Sequence, residues 1–533
     1  MVARAEIITT GEAAGAASAA MSASNPYRQE NVRKGAMHYL LGRGAAGAAG
    51  FAIVLLLVRF MDIANYAAYT ALSGLVAVCG IVAGLGMERV VSRYIPEGRL
   101  LRNVGELRRF IWQVSALRLV ACFAVAGALW LSWPMVSRFL AVSQYGEFAL
   151  CLAFFIVAET MFQHFSAVLQ ALVMQKTLTR LLVIQWGGRL ACLAVALVLT
   201  PLLGWQQVFW LFTVPELLGV IAFALVVHVH LGTLEKQVPH RGDAMGTWPD
   251  WRKVAAVGFH NFGFTILAAP PQGYFMKMLC AAFLPPEVVA AYGFFISIAE
   301  KVRQYIPMYF FYGLLEPVMI ASYLKDRDFD ALSKRCQLLY KTNLLLMGLA
   351  IVCAAASGET SLAVLTGGKF IGLAWILPLV LVQLTVGSHV VLLQLLLNSV
   401  EQSENLIRAT VIALPIMLAA MAAAAYLMPI GLLYAPILFS LCMNSTIVFR
   451  LGRSNFAYRP DWKMMLGIAV AAAAAFVPGR VLNDAWPTGA PMAVLIAVCV
   501  AATAVYLLAL ILLKVVKKSE LITVKSLLVS KKM

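Results

Sequence analysis

The sequence predicts an all-α polytopic membrane protein with about fourteen transmembrane helices, and three observations lead there. Of its 533 residues, 62% are hydrophobic and only 13% charged, where a soluble domain carries about 25% charged residues. A soluble chain of this length needs two or more polar-coated domains, and this one lacks the residues to coat them. Apolar stretches of about 20 residues, the length that crosses a bilayer as a helix, recur along the chain. The net charge of +17 is not gathered in one basic domain. Basic residues fall in short clusters between the apolar stretches, which is a topology signal rather than a nucleic-acid footprint.

The candidate spans are 37–58, 66–88, 110–132, 147–172, 181–199, 207–230 and 254–276, then 288–320, 342–358, 372–397, 409–427, 431–449, 464–479 and 491–513. An even number places both termini on one side. Of the 42 Lys and Arg residues, 32 lie in segments on the side of the termini, five in the opposite connections and five within spans. By the positive-inside rule both termini are cytoplasmic. Residues 1–36 have no apolar segment of signal-peptide strength and read as a disordered cytoplasmic tail. Residues 514–533, "KVVKKSELITVKSLLVSKKM", read as a basic cytoplasmic tail that fixes topology, with apposition to anionic lipid as the alternative. The nine cysteines form no CxxC pair and have no histidine at ligand spacing, so neither structural disulfides nor a metal site is expected.

The polar stretch "LGTLEKQVPHRGDAMGTWPDWRK", residues 231–253, is a cytoplasmic linker between two segments of similar rhythm, 37–230 and 254–450. In the first, a long basic loop is followed by a short one around "QKTLTR". In the second, "SYLKDRDFDALSKRCQLLYK" is followed by a short loop around "EQSENLIR". Two six-helix lobes are expected, both starting from the cytoplasmic side and therefore parallel, with two extra helices in 451–513.

Charges inside spans carry the mechanistic reading. The stretch "SIAEKVRQYIP", residues 297–307, puts Glu300, Lys301 and Arg303 near the middle of a span. Each such charge costs about 2.5–3.5 kcal/mol on insertion scales. Glu300, Arg303 and Gln304 share a helix face at i, i+3 and i+4, so Glu300 is expected to pair with Arg303. Lys301 points about 100° away and needs another partner or water. A helix lining an aqueous cavity fits this pattern; an internal ion-pair network joining two helices is the alternative. Glu159 and Glu216 are as central. Arg118 and Arg189, about 12 Å from the membrane edge at the helical rise, join them as cavity candidates. Arg43 lies only about 9 Å in and can snorkel, which makes it a weaker one. Five basic residues against three carboxylates favour an anionic substrate, because Arg matches phosphate oxygens bidentately. In "AAPPQGYF", Pro270 and Pro271 remove two backbone donors and Gly273 adds freedom, so span seven should bend or break there. These three are hinge candidates, with an ordinary kink as the alternative.

"LLGRGAAGAAGFAIVLLLVRFMDIANYAAYTAL" followed by "GIVAGLGMERVVSRYIPE" resembles the start of the polysaccharide exporters of the multidrug/oligosaccharidyl-lipid/polysaccharide (MOP) flippase superfamily. "FLPPEVVAAYGFF", "LLEPVMIASYLKDRDFDAL" and "LAVLTGGKFIGLAWILPLVL" are similar to its second half, and the match covers roughly residues 36–450. The resemblance implies two lobes around a central cavity and alternating access for a lipid-linked anionic glycan, feeding lipopolysaccharide or exopolysaccharide synthesis. It also implies a bacterial inner membrane, with membrane lipids and glycan polymerase or assembly proteins as partners, and leaves a coupling ion, H+ or Na+, open. Family members often carry an acid early in span seven, where this chain has Met276 and Lys277. The drug-exporting branch often uses an acid in span one, and none lies between Met37 and Arg59. No cofactor and no nucleic-acid partner is expected. A membrane glycosyltransferase or polymerase would need a catalytic constellation and a sizeable outer loop, so no enzyme activity is expected. A multidrug antiporter of the same superfamily and a non-transporting scaffold for glycan assembly are the alternatives.

Overall fold

A computed structural model describes residues 29–142, 149–200, 202–237, 248–303, 305–306, 308–309, 319–320, 323, 326–485 and 491–516. The N-terminal tail up to residue 28, the linker core 238–247, Gln304 and the basic tail from 517 lie outside the described residues. Among those described, the chain forms sixteen α-helices and no strand. This follows from the solvent: hydrocarbon offers backbone groups no partners, so each spanning segment must satisfy its own.

The first half begins with α1 (Gln29–Phe60), α2 (Ile63–Gly84), α3 (Met87–Leu101) and α4 (Val104–Phe139). It continues with α5 (Ala149–Ala171), α6 (Gln175–Leu199) and α7 (Trp205–Gln237). Asp62 caps α2, its carboxylate accepting from the Asn65 backbone N–H at 2.7 Å. Helix α3 is not a span. It is amphipathic, burying Val90, Val91, Tyr94 and Ile95 while Arg89, Ser92 and Arg93 are exposed or partly so. Helix α7 runs past residue 230 to Gln237, so the expected linker starts inside a helix.

The second half comprises α8 (Trp251–Leu267), α9 (Gly273–Phe283), α10 (Pro286–Arg303), α11 (Phe329–Thr366) and α12 (Ile376–Ser399). It ends with α13 (Glu404–Leu427), α14 (Ala435–Arg453), α15 (Trp462–Ala485) and α16 (Pro491–Leu512). The expected span 342–358 is longer than anticipated: α11 continues through a kink at Gly358 to Thr366. Among the described residues, eleven helical segments are long and apolar enough to cross a membrane. The other three expected spans are the first, seventh and eighth. Span one keeps a shorter apolar run, Gly44–Phe60. Span seven is divided into α8 and α9 by residues 268–272, which contain Pro270 and Pro271. Span eight is helical to Arg303 and described only in fragments beyond.

Helix α2 is the centre of the packing. It contacts α4 and α5 of its own half and α8, α9 and α10 of the other. Gly74 permits the closest approach, since a Cβ there would overlap the Tyr274 carbonyl of α9. The last two helices pack on each other and on α11. Large apolar side chains such as Val198, Leu199, Leu131 and Val500 remain exposed, as lipid-facing surfaces require.

Two cations join the halves at the far end of the bundle, where α1 finishes and α2 begins. Lys369 Nζ donates to the carbonyls of Val58, Arg59 and Met61 at 2.8, 2.9 and 2.6 Å. In return Arg59 Nε donates to the Leu365 carbonyl at 3.2 Å, and its Nη2 reaches Val364. Each cation therefore serves the orphan carbonyls ending the other half's helix, where the helix dipole also favours positive charge. Asp62 adds a nearby counter-charge for Lys369. Lys369→Met should lower stability by about 1–3 kcal/mol, read as a lower thermal midpoint of the purified protein in detergent. Lys369→Arg should recover part of the loss; equal loss in both would mean that charge at this position does not hold the halves together.

Candidate functional site: a charged cavity along α2

A cavity of about 470 Å³ lies between the two halves. One face of α2 lines it with Tyr66, Tyr69, Ser73, Val76, Gly80 and Gly84, a spacing of three and four residues that keeps them on one stripe. From Tyr66 to Gly84 that stripe is about 27 Å long at the helical rise, so the cavity follows nearly the whole depth of the span. Helices α1, α5, α6, α7, α9 and α10 supply the other walls at mid-depth.

Most of the intramembrane charges meet here. Glu159, Arg189, Lys277, Glu300 and Lys301 line the cavity, and Arg118 lines it further along. Arg189 stands between two carboxylates: its Nη2 is 2.6 Å from Glu159 Oε2 and in direct contact with Glu216. Glu216 is fully buried behind it, held also by the Gln185 amide. Its position on α7 follows Pro215, where the missing backbone donor loosens the helix. The Arg189 guanidinium also lies over Trp186 at 4.9 Å and Phe212 at 5.6 Å from the ring centroids. This is a buried triad with its charge answered on several sides.

Around α10 the arrangement differs from the expected one. Glu300 does not pair with Arg303. Its Oε2 lies 3.6 Å from Nζ of Lys277 on α9, and Lys277 also donates to Ser297 Oγ at 3.0 Å. Arg303 lies instead over the Tyr309 ring at 5.6 Å and is not among the cavity-lining residues. The reason is the break in span seven, which brings α9 against α10: a Cβ on Gly273 would sit 2.7 Å from Glu300 Oε1. Gly273 thus leaves room for that carboxylate. Lys301, expected to need a separate partner, places Nζ over the Trp186 ring at 4.1 Å and against Gly50 of α1. Gln304 and the Arg43 side chain lie outside what is described.

Sequence reasoning missed Lys277, assigned to an outer connection because span seven was ended at residue 276. It missed Glu88 as well, which lines the cavity where α2 gives way to α3. The signal for Lys277 was present, as a lone lysine in "GYFMKMLC". The expected cation excess is nearly cancelled. Four basic lining residues, Arg118, Arg189, Lys277 and Lys301, face Glu88, Glu159 and Glu300, with Glu216 behind. Aromatic rings of Tyr66, Tyr69, Phe155, Phe209, Phe212 and Tyr274 fill the spaces between.

Two solved structures share this architecture. The lipid II flippase MurJ in an inward closed conformation superposes with a TM-score of 0.65 at 10% identity, covering 88% of this chain and 97% of that one. An inward-facing multidrug resistance MATE family transporter of the MOP superfamily gives 0.55 at 13% identity, covering 78% and 94%. The chain shares the fold of these two proteins. No protein-family model matches the sequence, and no curated protein matches it. In this fold most of the intramembrane charges line the cavity between the halves, and large apolar side chains stay exposed elsewhere.

Glu216→Ala should leave Arg189 undercompensated in a buried site and destabilise the protein by about 3–5 kcal/mol. The double variant Glu216→Ala with Arg189→Met should recover much of that loss, measured by thermal unfolding in detergent. A double variant as unstable as the single one would mean that the pair is not the source of the effect.

Proposed function

We propose that this multi-pass protein is a flippase that moves a lipid-linked oligosaccharide, carried on a polyprenyl diphosphate, from the cytoplasmic to the outer leaflet. The observation carrying this reading is the cavity along α2, which combines four cationic side chains with an aromatic lining. Arginine and lysine match phosphate oxygens, and aromatic faces suit the apolar faces of sugar rings. The reading places the protein in a bacterial inner membrane with both termini cytoplasmic. It serves cell-surface polysaccharide synthesis beside polymerase or assembly proteins, without catalysing a covalent step. Alternating access moves the head group through the cavity while the lipid tail stays in hydrocarbon. The break between α8 and α9 supplies the hinge, through Pro270, Pro271 and Gly273.

A second reading is export of a small amphiphilic cation. The carboxylates of Glu159 and Glu300 beside the aromatic rings favour it. Purified protein in liposomes, given a fluorescent lipid-diphosphate sugar on one leaflet, separates the two. The flippase reading predicts translocation that falls at least severalfold in Lys277→Met and Lys301→Met, since each removes a cation facing the cavity. Absence of lipid movement, with uptake or release of a fluorescent organic cation, would replace it by the drug reading.

A further inference from the structure

Beyond the mid-depth network, the near end of the cavity holds a second set of groups, where α2 gives way to α3. Arg118 on α4 is 1% exposed and lines the cavity beside Gly84, Gly86 and Glu88. Among the described residues its Nε and Nη1 have no hydrogen-bond partner, although a guanidinium presents five N–H donors. Its Nη2 lies 4.0 Å from Glu88 Oε1, beyond hydrogen-bond range. Arg189 is held by two carboxylates; among the described residues Arg118 has only this loose one, on a side chain that is 65% exposed.

The backbone beside it adds positive charge. Leu85 and Gly86 are both left-handed, with φ of 49° and 69°, and the chain turns there into the 15-residue α3. Gly86 is the N-cap and supplies no side-chain acceptor, so the first N–H groups of α3 lack the usual cap. A helix N-terminus in this condition favours an anion. The turn is held in place by α8: a Cβ on Gly86 would overlap the Gly258 carbonyl, and Asn261 Nδ2 donates to the Gly86 carbonyl at 3.3 Å.

We propose that Arg118 and the N-terminus of α3 form a second anion subsite, separate from the mid-depth network, which takes a phosphate-class oxyanion. Glu88 is the internal stand-in, weakly held and exposed enough to swing away when the oxyanion arrives. Identifying that oxyanion with the diphosphate of the transported lipid rests on the flippase reading; the subsite itself does not. It lies at the end of the cavity remote from the Arg59 and Lys369 contacts.

The test is calorimetric binding to the purified full-length protein in detergent, with inorganic pyrophosphate and a short-chain prenyl diphosphate as probes. Arg118→Met should weaken binding of both by about tenfold or more, which is about 1.4 kcal/mol or more. Glu88→Gln should strengthen both by roughly threefold, because it removes the competing carboxylate. Thermal stability of Arg118→Met should stay level or rise, since the change removes a buried cation short of partners. Should that variant fail to fold, Arg118→Lys carries the same test: it keeps the charge but loses the fork, and binding should still weaken. Unchanged binding in the Arg118 variants, or weaker binding in Glu88→Gln, overturns the proposal. Tighter binding of the prenyl compound assigns the lipid head group as the source, and equal binding assigns free phosphate; the subsite stands in both cases. Arg118-dependent binding without lipid transport in liposomes would leave the subsite and remove the flippase reading.

Discussion

A charge held in the middle of a membrane must be answered by other protein groups, and the centre of this molecule is arranged around that constraint. Hydrocarbon gives Arg189, Glu216, Lys277 and Glu300 no solvation, so their helices must bring partners to them. The consequences reach the backbone. Glu216 is met by Arg189 and Gln185 of the neighbouring helix, Lys277 reaches across to α10, and Gly273 and Gly50 leave space for Glu300 and Lys301. The three spans that fall short of an unbroken long apolar helix as described are the first, seventh and eighth, and all three touch this cavity. Departure from ideal span geometry and concentration of charge occur together.

The far end is organised by a different use of charge. Arg59 and Lys369 exchange contacts with backbone carbonyls across more than 300 positions of sequence. Neither needs a carboxylate for this, because helix C-termini already carry partial negative charge. Such a contact depends on two turns being adjacent, and it is lost entirely if the halves separate. The cavity therefore has one end tied by backbone-directed cations and another end marked by the loosely held Arg118 and Glu88. That polarity is what alternating access needs: contacts at one end that form and break as a unit.

Much of the architecture was legible in the sequence because the bilayer imposes long, continuous signals. Eleven of the expected spans and the break at Pro270 and Pro271 follow from hydropathy and backbone chemistry. Pairing was less legible. Glu300 and Arg303 share a helix face, yet Glu300 meets Lys277, because the break in span seven lets α9 approach α10 at a register no local pattern specifies. Lys277 itself was misplaced by a boundary drawn at residue 276, inside a helix that runs on to Phe283. The α2 stripe of Tyr66, Tyr69, Ser73, Val76, Gly80 and Gly84 is periodic, but small and aromatic residues at that spacing also describe an ordinary packing face. Tertiary context alone distinguishes them. Likewise "GGK" reads as a turn in sequence, and only the approach of α1 reveals Lys369 as the group serving another helix's carbonyls.

The proposed flippase cycle requires the end tied by Arg59 and Lys369 to open when the cavity delivers its contents. Spin labels on cysteines introduced at Ala64 and Gly372, in a background without the native cysteines, would report the distance across the Arg59 and Lys369 contacts. Pulsed electron–electron resonance in lipid should show a short distance in the resting protein. A second, longer population should grow when a lipid-diphosphate sugar is added, and should dominate without substrate in Lys369→Met. One short distance under every condition, in a protein that still transports the lipid, would contradict the account.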